Sequence, residues 1–184
     1  MGRFKANRRF AAVRKILEEN KGRPELRGAQ FDEEGCQYLG TRYYFVKIRP
    51  EHALRGVSAV KGKAMAFPKL ADDFFKEGGR FRVVRIALRE LKEQAAILEA
   101  AADDRTPSKP ALRIGDCFFN PNYVVACMEV LGADEAEMGF DEEKAYSLIA
   151  IYAEKGTGAV APLNKRMLDM EKFEEYVPVS VRDK

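Results

Sequence analysis

Two stretches decide how this chain reads: FKANRRFAAVRKIL (Phe4–Leu17) and CFFNPNYVVACMEVL (Cys117–Leu131). Each opens on an apolar, extended lead-in, passes an asparagine and continues as an amphipathic helix. Asn7 matches Asn120, and Phe10 matches Tyr123. Asn is a favoured N-cap because its side-chain oxygen accepts an orphan backbone N–H. Pro121 then stands at the first helical position, where no N–H is needed, and Gly132 closes the second helix. In the first helix Phe10, Val13 and Leu17 recur at helical spacing and predict a buried stripe over about residues 8–19. After each helix comes a run with strand character that carries the same four letters, Phe31-Asp32-Glu33-Glu34 and Phe140-Asp141-Glu142-Glu143.

From these two units the rest of the chain falls into place. Residues 27–48 read as strands, with turn signals at Glu34-Gly35 and Leu39-Gly40. Strands are also expected over 136–140, 145–153 and 159–163, with Gly156 and Gly158 forming the turn before the last. Residues 71–76 read as a short helix. Residues 82–101 read as the longest helix, because Val84, Leu88, Leu91, Ala95 and Leu98 form a 4-3-4-3 apolar seam. A polar loop, DDRTPSKP, follows at 103–110, and a charged tail runs over 165–184 with a short helix near 168–176. The predicted class is α+β: one domain over 1–184, with two strand–helix–strands repeats (1–50 and 111–164), antiparallel sheets, and a helical insertion over 51–110.

Composition narrows the chemistry. The chain has 184 residues, 46% of them hydrophobic and 33% charged, an ordinary globular balance, and a net charge of only +3. Nucleic-acid affinity would therefore have to come from local clusters of charge. Three cysteines with no CxxC pair make no disulfide framework, and Cys117 and Cys127 lie in apolar surroundings that suit a core. A single histidine, His52, leaves no basis for the usual zinc sites or catalytic triads. The residues point to no cofactor, no metal and no catalytic group. No run is apolar and long enough for a membrane span, so a cytoplasmic location is expected.

Two basic groups are the candidate DNA contacts. Arg8, Arg9, Arg14 and Lys15 sit on the first helix, and Arg82, Arg85, Arg89 and Lys92 fall at i, i+3, i+7 and i+10 of the expected long helix. The competing reading is a solvated helix face, balanced by Glu18 and Glu19 in the first case and covering an apolar seam in the second. Lys61 and Lys63 in VKGKAMAF lack Walker A spacing, and Gly156-Thr157-Gly158 precedes a strand and so offers no anion site. The doubled Asp/Glu runs are read as turns rather than acid–base pairs.

At LRIGDCFFNPNYVVACMEVLG and the following EAEMGFDEEKAYSLIAIYAEKGTGAVAPL, the chain resembles bacterial DNA sliding clamps, the β subunit of DNA polymerase III. Phe119-Asn120, Tyr123 and Leu131 occupy the places of the family's short strand and helix, and Ala161-Pro162-Leu163 stands where its last strand ends. The resemblance covers about 4–48 and 112–163. It implies a clamp-like fold and a non-enzymatic accessory role in DNA replication or repair. It also implies duplex DNA and a DNA polymerase or other clamp-binding protein as partners, and a homo-oligomer as the assembly. This chain departs from the family in three ways. It has room for one domain where a clamp subunit has three. Its second helix carries no Lys or Arg and one Glu129. Its insertion is longer than a clamp domain holds. The alternative is a protein–protein interaction module that keeps the fold and does not bind DNA.

Overall fold

The computed structural model describes residues 2–60, 65–76, 81–101, 111–114, 117–141, 148–163 and 174–175. Its centre is a seven-stranded antiparallel sheet built from two meanders and one further strand. The first meander is β1 (Gln30–Phe31), β2 (Gln37–Gly40) and β3 (Tyr44–Ile48). The second is β7 (Glu135–Asp141), β8 (Ile149–Ala153) and β9 (Gly156–Val160). They join where β3 pairs with β9, Val46 opposite Gly158, so the order is β1-β2-β3-β9-β8-β7, with β4 (Phe81–Ala87) added at the β7 edge. A smaller sheet holds β5 (Leu112–Ile114), β6 (Cys117–Phe119) and β10 (Glu174–Glu175).

Three helices lie side by side over the large sheet. α4 (Pro121–Leu131) is central, over β3, β9 and β8, with α1 (Gly2–Glu19) on one flank and α3 (Leu88–Ala101) on the other. Seven of the eleven residues of α4 are buried, because it has neighbours on both sides and a sheet beneath. That explains its all-round apolar composition, where a surface helix would show a single stripe. The expected caps are present. The Asn120 side chain accepts from the Asn122 N–H at 2.9 Å, Pro121 opens the helix, and Gly132 ends it with φ +66°.

On the opposite face, α2 (Phe67–Lys76) lies over β1 and β2 and reaches Tyr152 on β8 through Phe75. Phe67 stacks on Phe45 at 5.4 Å within a second cluster with Leu26, Cys36, Tyr38 and Ala71. Buried on both faces, β2 and β3 read as near-continuous apolar runs, whereas β7, open on one face, alternates at Glu135, Ala136, Glu137 and Met138.

Several expectations need correction. Residues 82–101 are not one helix: Phe81–Ala87 is a strand paired with β7, and the helix begins at Leu88. Val84, Ile86 and Leu88 bury at period two before Leu91 and Ala95 continue at helical spacing, so the two periods share Val84 and Leu88. The β-branched run Val83-Val84 and Ile86 favours the strand. The segment 51–110 is therefore not purely helical, since β4 belongs to the main sheet.

Helix α1 starts at Gly2, with no strand before it among the described residues; Asn7 lies inside the helix and caps nothing. Among its described side chains the buried ones are Ala12, Val13 and Ile16, and Phe10 is 42% exposed. The turn between β8 and β9 falls at Glu154-Lys155, and both Gly156 and Gly158 lie within β9. The charged loop at 103–110, Lys61, Lys63, Glu142, Glu143 and most of the tail lie outside the described residues. Within the tail, Glu174–Glu175 pairs as a strand with β5, where a helix was expected.

Candidate nucleic-acid interface

The eight candidate cations do not form one surface. Arg8 and Arg9 on α1 reach across to the C-terminal end of α4. Arg8 Nη1 meets Asp134 Oδ1 at 2.6 Å, and its Nη2 donates to the Ala133 carbonyl at 3.2 Å. Arg9 Nε donates to the Val130 carbonyl at 2.7 Å, and its Nη2 donates to the His52 carbonyl at 3.0 Å. The Val130 and Ala133 carbonyls lie at the end of α4, where the last turn has no intrahelical donors and the helix dipole favours a cation. Burial pushes the Arg9 guanidinium below its usual pKa. Both arginines therefore tie α1 to α4 and turn away from any ligand above the helices.

The second group is divided between strand and helix. Arg82 and Arg85 lie on β4, so the helical stripe with Arg89 and Lys92 does not exist. Arg85 pairs with Glu135 on β7, Arg89 with Glu93 one turn on, and Lys92 with Glu129 on α4 at 2.5 Å. Each of these three charges is already answered by a carboxylate.

Arg14 and Lys15 differ. Both are exposed on α1, and neither has an ion-pair partner among the described residues. Across the three-helix layer, positive charge is concentrated on α1. Arg8, Arg9, Arg14 and Lys15 stand there against Glu18 and Glu19. By sequence α3 and α4 are each slightly acidic. An anion approaching the layer meets its favourable potential on the α1 flank.

That flank also carries a cavity of about 550 Å³, between α1 and the segments 27–28 and 56–58. Phe10, Val13, Leu17 and Val57 supply apolar wall, and Arg14, Lys21 and Arg27 stand around it with one carboxylate, Glu18. Sequence reasoning missed Lys21 and Arg27. They lie beyond the end of α1, and only the folded loop brings them beside Phe10.

A second polar cluster explains the first Asp/Glu run. Asp32 accepts from the Cys36 N–H at 2.8 Å and from the Tyr38 hydroxyl at 2.7 Å, and Lys47 Nζ lies 3.4 Å away. Burial alone would raise the Asp32 pKa. The Tyr38 and Cys36 hydrogen bonds and the Lys47 charge outweigh it and hold the carboxyl below its ordinary value. Burial would lower the Lys47 pKa, but Tyr38, Cys36 and Asp32 around it raise it. Ligand atoms of Asp32, Glu34 and Cys36 lie within 4.8 Å of one another. Asp32 is nonetheless fully engaged in closing the turn between β1 and β2, with Lys47 as its counter-charge. Cys117 and Cys127 are core residues, and burial pushes the Cys127 thiol well up. No described helix is long and apolar enough to cross a membrane.

No family model matches the chain, and no curated protein does. Solved structures do. A sliding clamp (DNA polymerase III subunit beta) from Bartonella birtlesii, bound to griselimycin, superposes with a TM-score of 0.58 at 10% identity, over 89% of this chain and 64% of that one. DNA polymerase III subunit beta from Borrelia burgdorferi gives 0.57 at 10% identity, over 87% and 61%. The Helicobacter pylori beta clamp bound to a DNA ligase peptide gives 0.55 at 10%, over 84% and 62%. The chain spans less than two thirds of each of these proteins. At such identities the likeness is one of fold, that of a sliding clamp.

Proposed function

We propose that this chain, with its sliding-clamp-like fold, is a non-enzymatic accessory protein of DNA replication or repair that meets duplex DNA through α1. The observation that carries the reading is the layer itself. Three helices packed side by side present one face above a continuous sheet, and the charge of that face is gathered on α1. Arg14 and Lys15 are the phosphate contacts. Arg8 and Arg9 set the position of α1, and Arg85, Arg89 and Lys92 are held by carboxylates. Contacts of this kind supply sequence-independent affinity, as an accessory that moves along DNA requires. A polymerase or another DNA-processing enzyme is the proposed protein partner, by analogy with the clamp that holds a DNA ligase peptide.

One observation favours a second reading, an interaction module that leaves DNA alone. Three of the eight candidate cations form ion pairs with carboxylates within the helix and sheet layers, and Arg8 forms a fourth with Asp134. Light scattering with and without a 30-base-pair duplex at low salt separates the two. A mass increase that salt reverses supports the accessory reading. An unchanged mass at every salt concentration supports the module.

A further inference from the structure

The cavity beside α1 is a groove of mixed aromatic and basic character, and we infer that it receives the bases of an unpaired DNA strand where that strand leaves the duplex. The inference rests on the reading that α1 meets DNA, and it adds a single-stranded substrate to the double-stranded one.

The groove is built before any ligand arrives. One wall is α1, and the other forms where residues 27–28 run beside 56–58. The Ala29 N–H donates to the Ser58 carbonyl at 2.9 Å, and the Val60 N–H donates to the Ala29 carbonyl at 2.9 Å, so Ala29 and Ala59 form a parallel bridge. A Cβ on Gly28 would lie 2.7 Å from the Val60 nitrogen, so only glycine lets these two backbones come so close. The enclosed volume, about 550 Å³, is within the range of small-ligand sites.

Its lining joins two chemistries. Phe10 supplies an aromatic ring that keeps 42% of its surface in water. Arg14 follows it by one helical turn, Lys21 stands just past the end of α1, and Arg27 stands on the far wall. All three cations are exposed, and none has an ion-pair partner among the described residues. Glu18 is the single lining carboxylate, so the groove carries an excess of positive charge. A ring beside unanswered cations is how proteins hold single strands without reading sequence: the ring stacks on a base and the cations take phosphates. Bases paired and stacked inside a duplex cannot reach Phe10, whereas those of an unpaired strand can. An acidic peptide would also suit the cations. Continuity decides for nucleic acid, because Arg14 belongs both to the groove and to the proposed phosphate contacts, with Lys15 next to it.

The test is fluorescence anisotropy at low salt on the full chain. The probe is a labelled 30-base-pair duplex that is blunt, or carries a ten-nucleotide oligothymidylate extension, or carries an abasic extension of the same length. The abasic strand keeps every phosphate and lacks the bases. Wild type should bind the thymidylate extension about tenfold more tightly than the abasic one, the gain expected of a base stacked on an aromatic ring. Phe10→Ala should remove that preference and leave blunt-duplex binding as it was, and Phe10→Trp, which keeps a ring, should retain it. Lys21→Ala with Arg27→Ala should weaken both extended duplexes by about tenfold and the blunt one by less than about twofold. Thymidylate and abasic extensions that bind wild type alike overturn the inference, and that comparison stands even where Phe10→Ala fails to fold. A folded Phe10→Ala that keeps the preference overturns it too. So does an alternating Asp–Leu peptide that binds wild type but not the Lys21→Ala/Arg27→Ala variant while the extension adds nothing, since the occupant is then a protein. Blunt-duplex binding that needs Arg14 and Lys15, with no gain from the extension, sinks the groove alone. A Phe10-dependent preference for the thymidylate extension without blunt-duplex binding sustains the groove and sinks the duplex reading alone.

Discussion

Replacing Arg9 with alanine separates a structural arginine from a phosphate-binding one. In the structure its guanidinium donates to the Val130 carbonyl at 2.7 Å and to the His52 carbonyl at 3.0 Å, joining α1, α4 and the short 3-10 turn at 50–52. Hydrogen bonds from a charged donor contribute about 1.5–3 kcal/mol each. The side chain is only half-buried, so water recovers part of that, and roughly 2–3 kcal/mol should be lost. For a chain of this length that lowers the melting temperature by roughly 4–12 °C. Urea unfolding followed by circular dichroism reads the change directly. Lys15→Ala, at an exposed site, should stay within about 0.5 kcal/mol of wild type. Arg9→Lys should fall between, since an ammonium keeps the charge but loses the fork that reaches two carbonyls. If Arg9→Ala unfolds with Lys15→Ala, and instead weakens DNA binding, the assignment of Arg9 to the α1–α4 joint is wrong.

Other consequences follow from the same contacts. Asn120→Ala removes the α4 cap and should cost about 1 kcal/mol in urea unfolding, whereas Asn7→Ala, inside α1, should cost nothing measurable. Gly156→Ala should be far more damaging: with φ +155° and a Cβ that would lie 2.0 Å from the Lys47 carbonyl oxygen, it must separate β3 from β9 at the centre of the sheet, and soluble yield together with melting temperature will show it. The Asp32 carboxyl has a depressed pKa in the folded state, so its stabilisation is present above the unfolded carboxylate range and is lost as pH falls through the folded value. Asp32→Asn should therefore lower stability at pH 7 and flatten the acid limb of the stability profile below about pH 4; an unchanged acid limb would count against the Asp32–Lys47 pairing. Cys127, fully buried with its thiol pKa pushed up, should react with a thiol reagent only at the rate of unfolding.

What was legible in the sequence was whatever local chemistry decides. Asn120, Pro121 and Gly132 marked both ends of α4, because capping and a left-handed C-cap are properties of single residues. The run Tyr44–Ile48 announced a strand by β-branched and aromatic content alone. The errors came where tertiary contacts choose between two consistent periods. Val84 and Leu88 suit both a helix and a strand, and pairing with β7 selects the strand for 81–87. Phe10 fits a buried stripe by spacing, yet α1 turns Ala12, Val13 and Ile16 inward and leaves Phe10 at the groove. The site suffered in the same way. Sequence spacing shows that Arg8, Arg9, Arg14 and Lys15 share a helix, but not that the first two reach the carbonyls of Ala133 and Val130 at the end of α4. Nor does it bring Lys21 and Arg27 beside Phe10.

The most direct measurement is fluorescence anisotropy of a labelled duplex across a salt series, with wild type and with Arg14→Glu/Lys15→Glu. The account predicts binding that weakens as salt rises, with log K falling by about 0.9 per tenfold increase in salt for each phosphate neutralised. It also predicts that the double variant loses that binding while its melting temperature holds. Wild-type anisotropy that stays flat at the lowest salt, or a double variant that binds as wild type does, would contradict it.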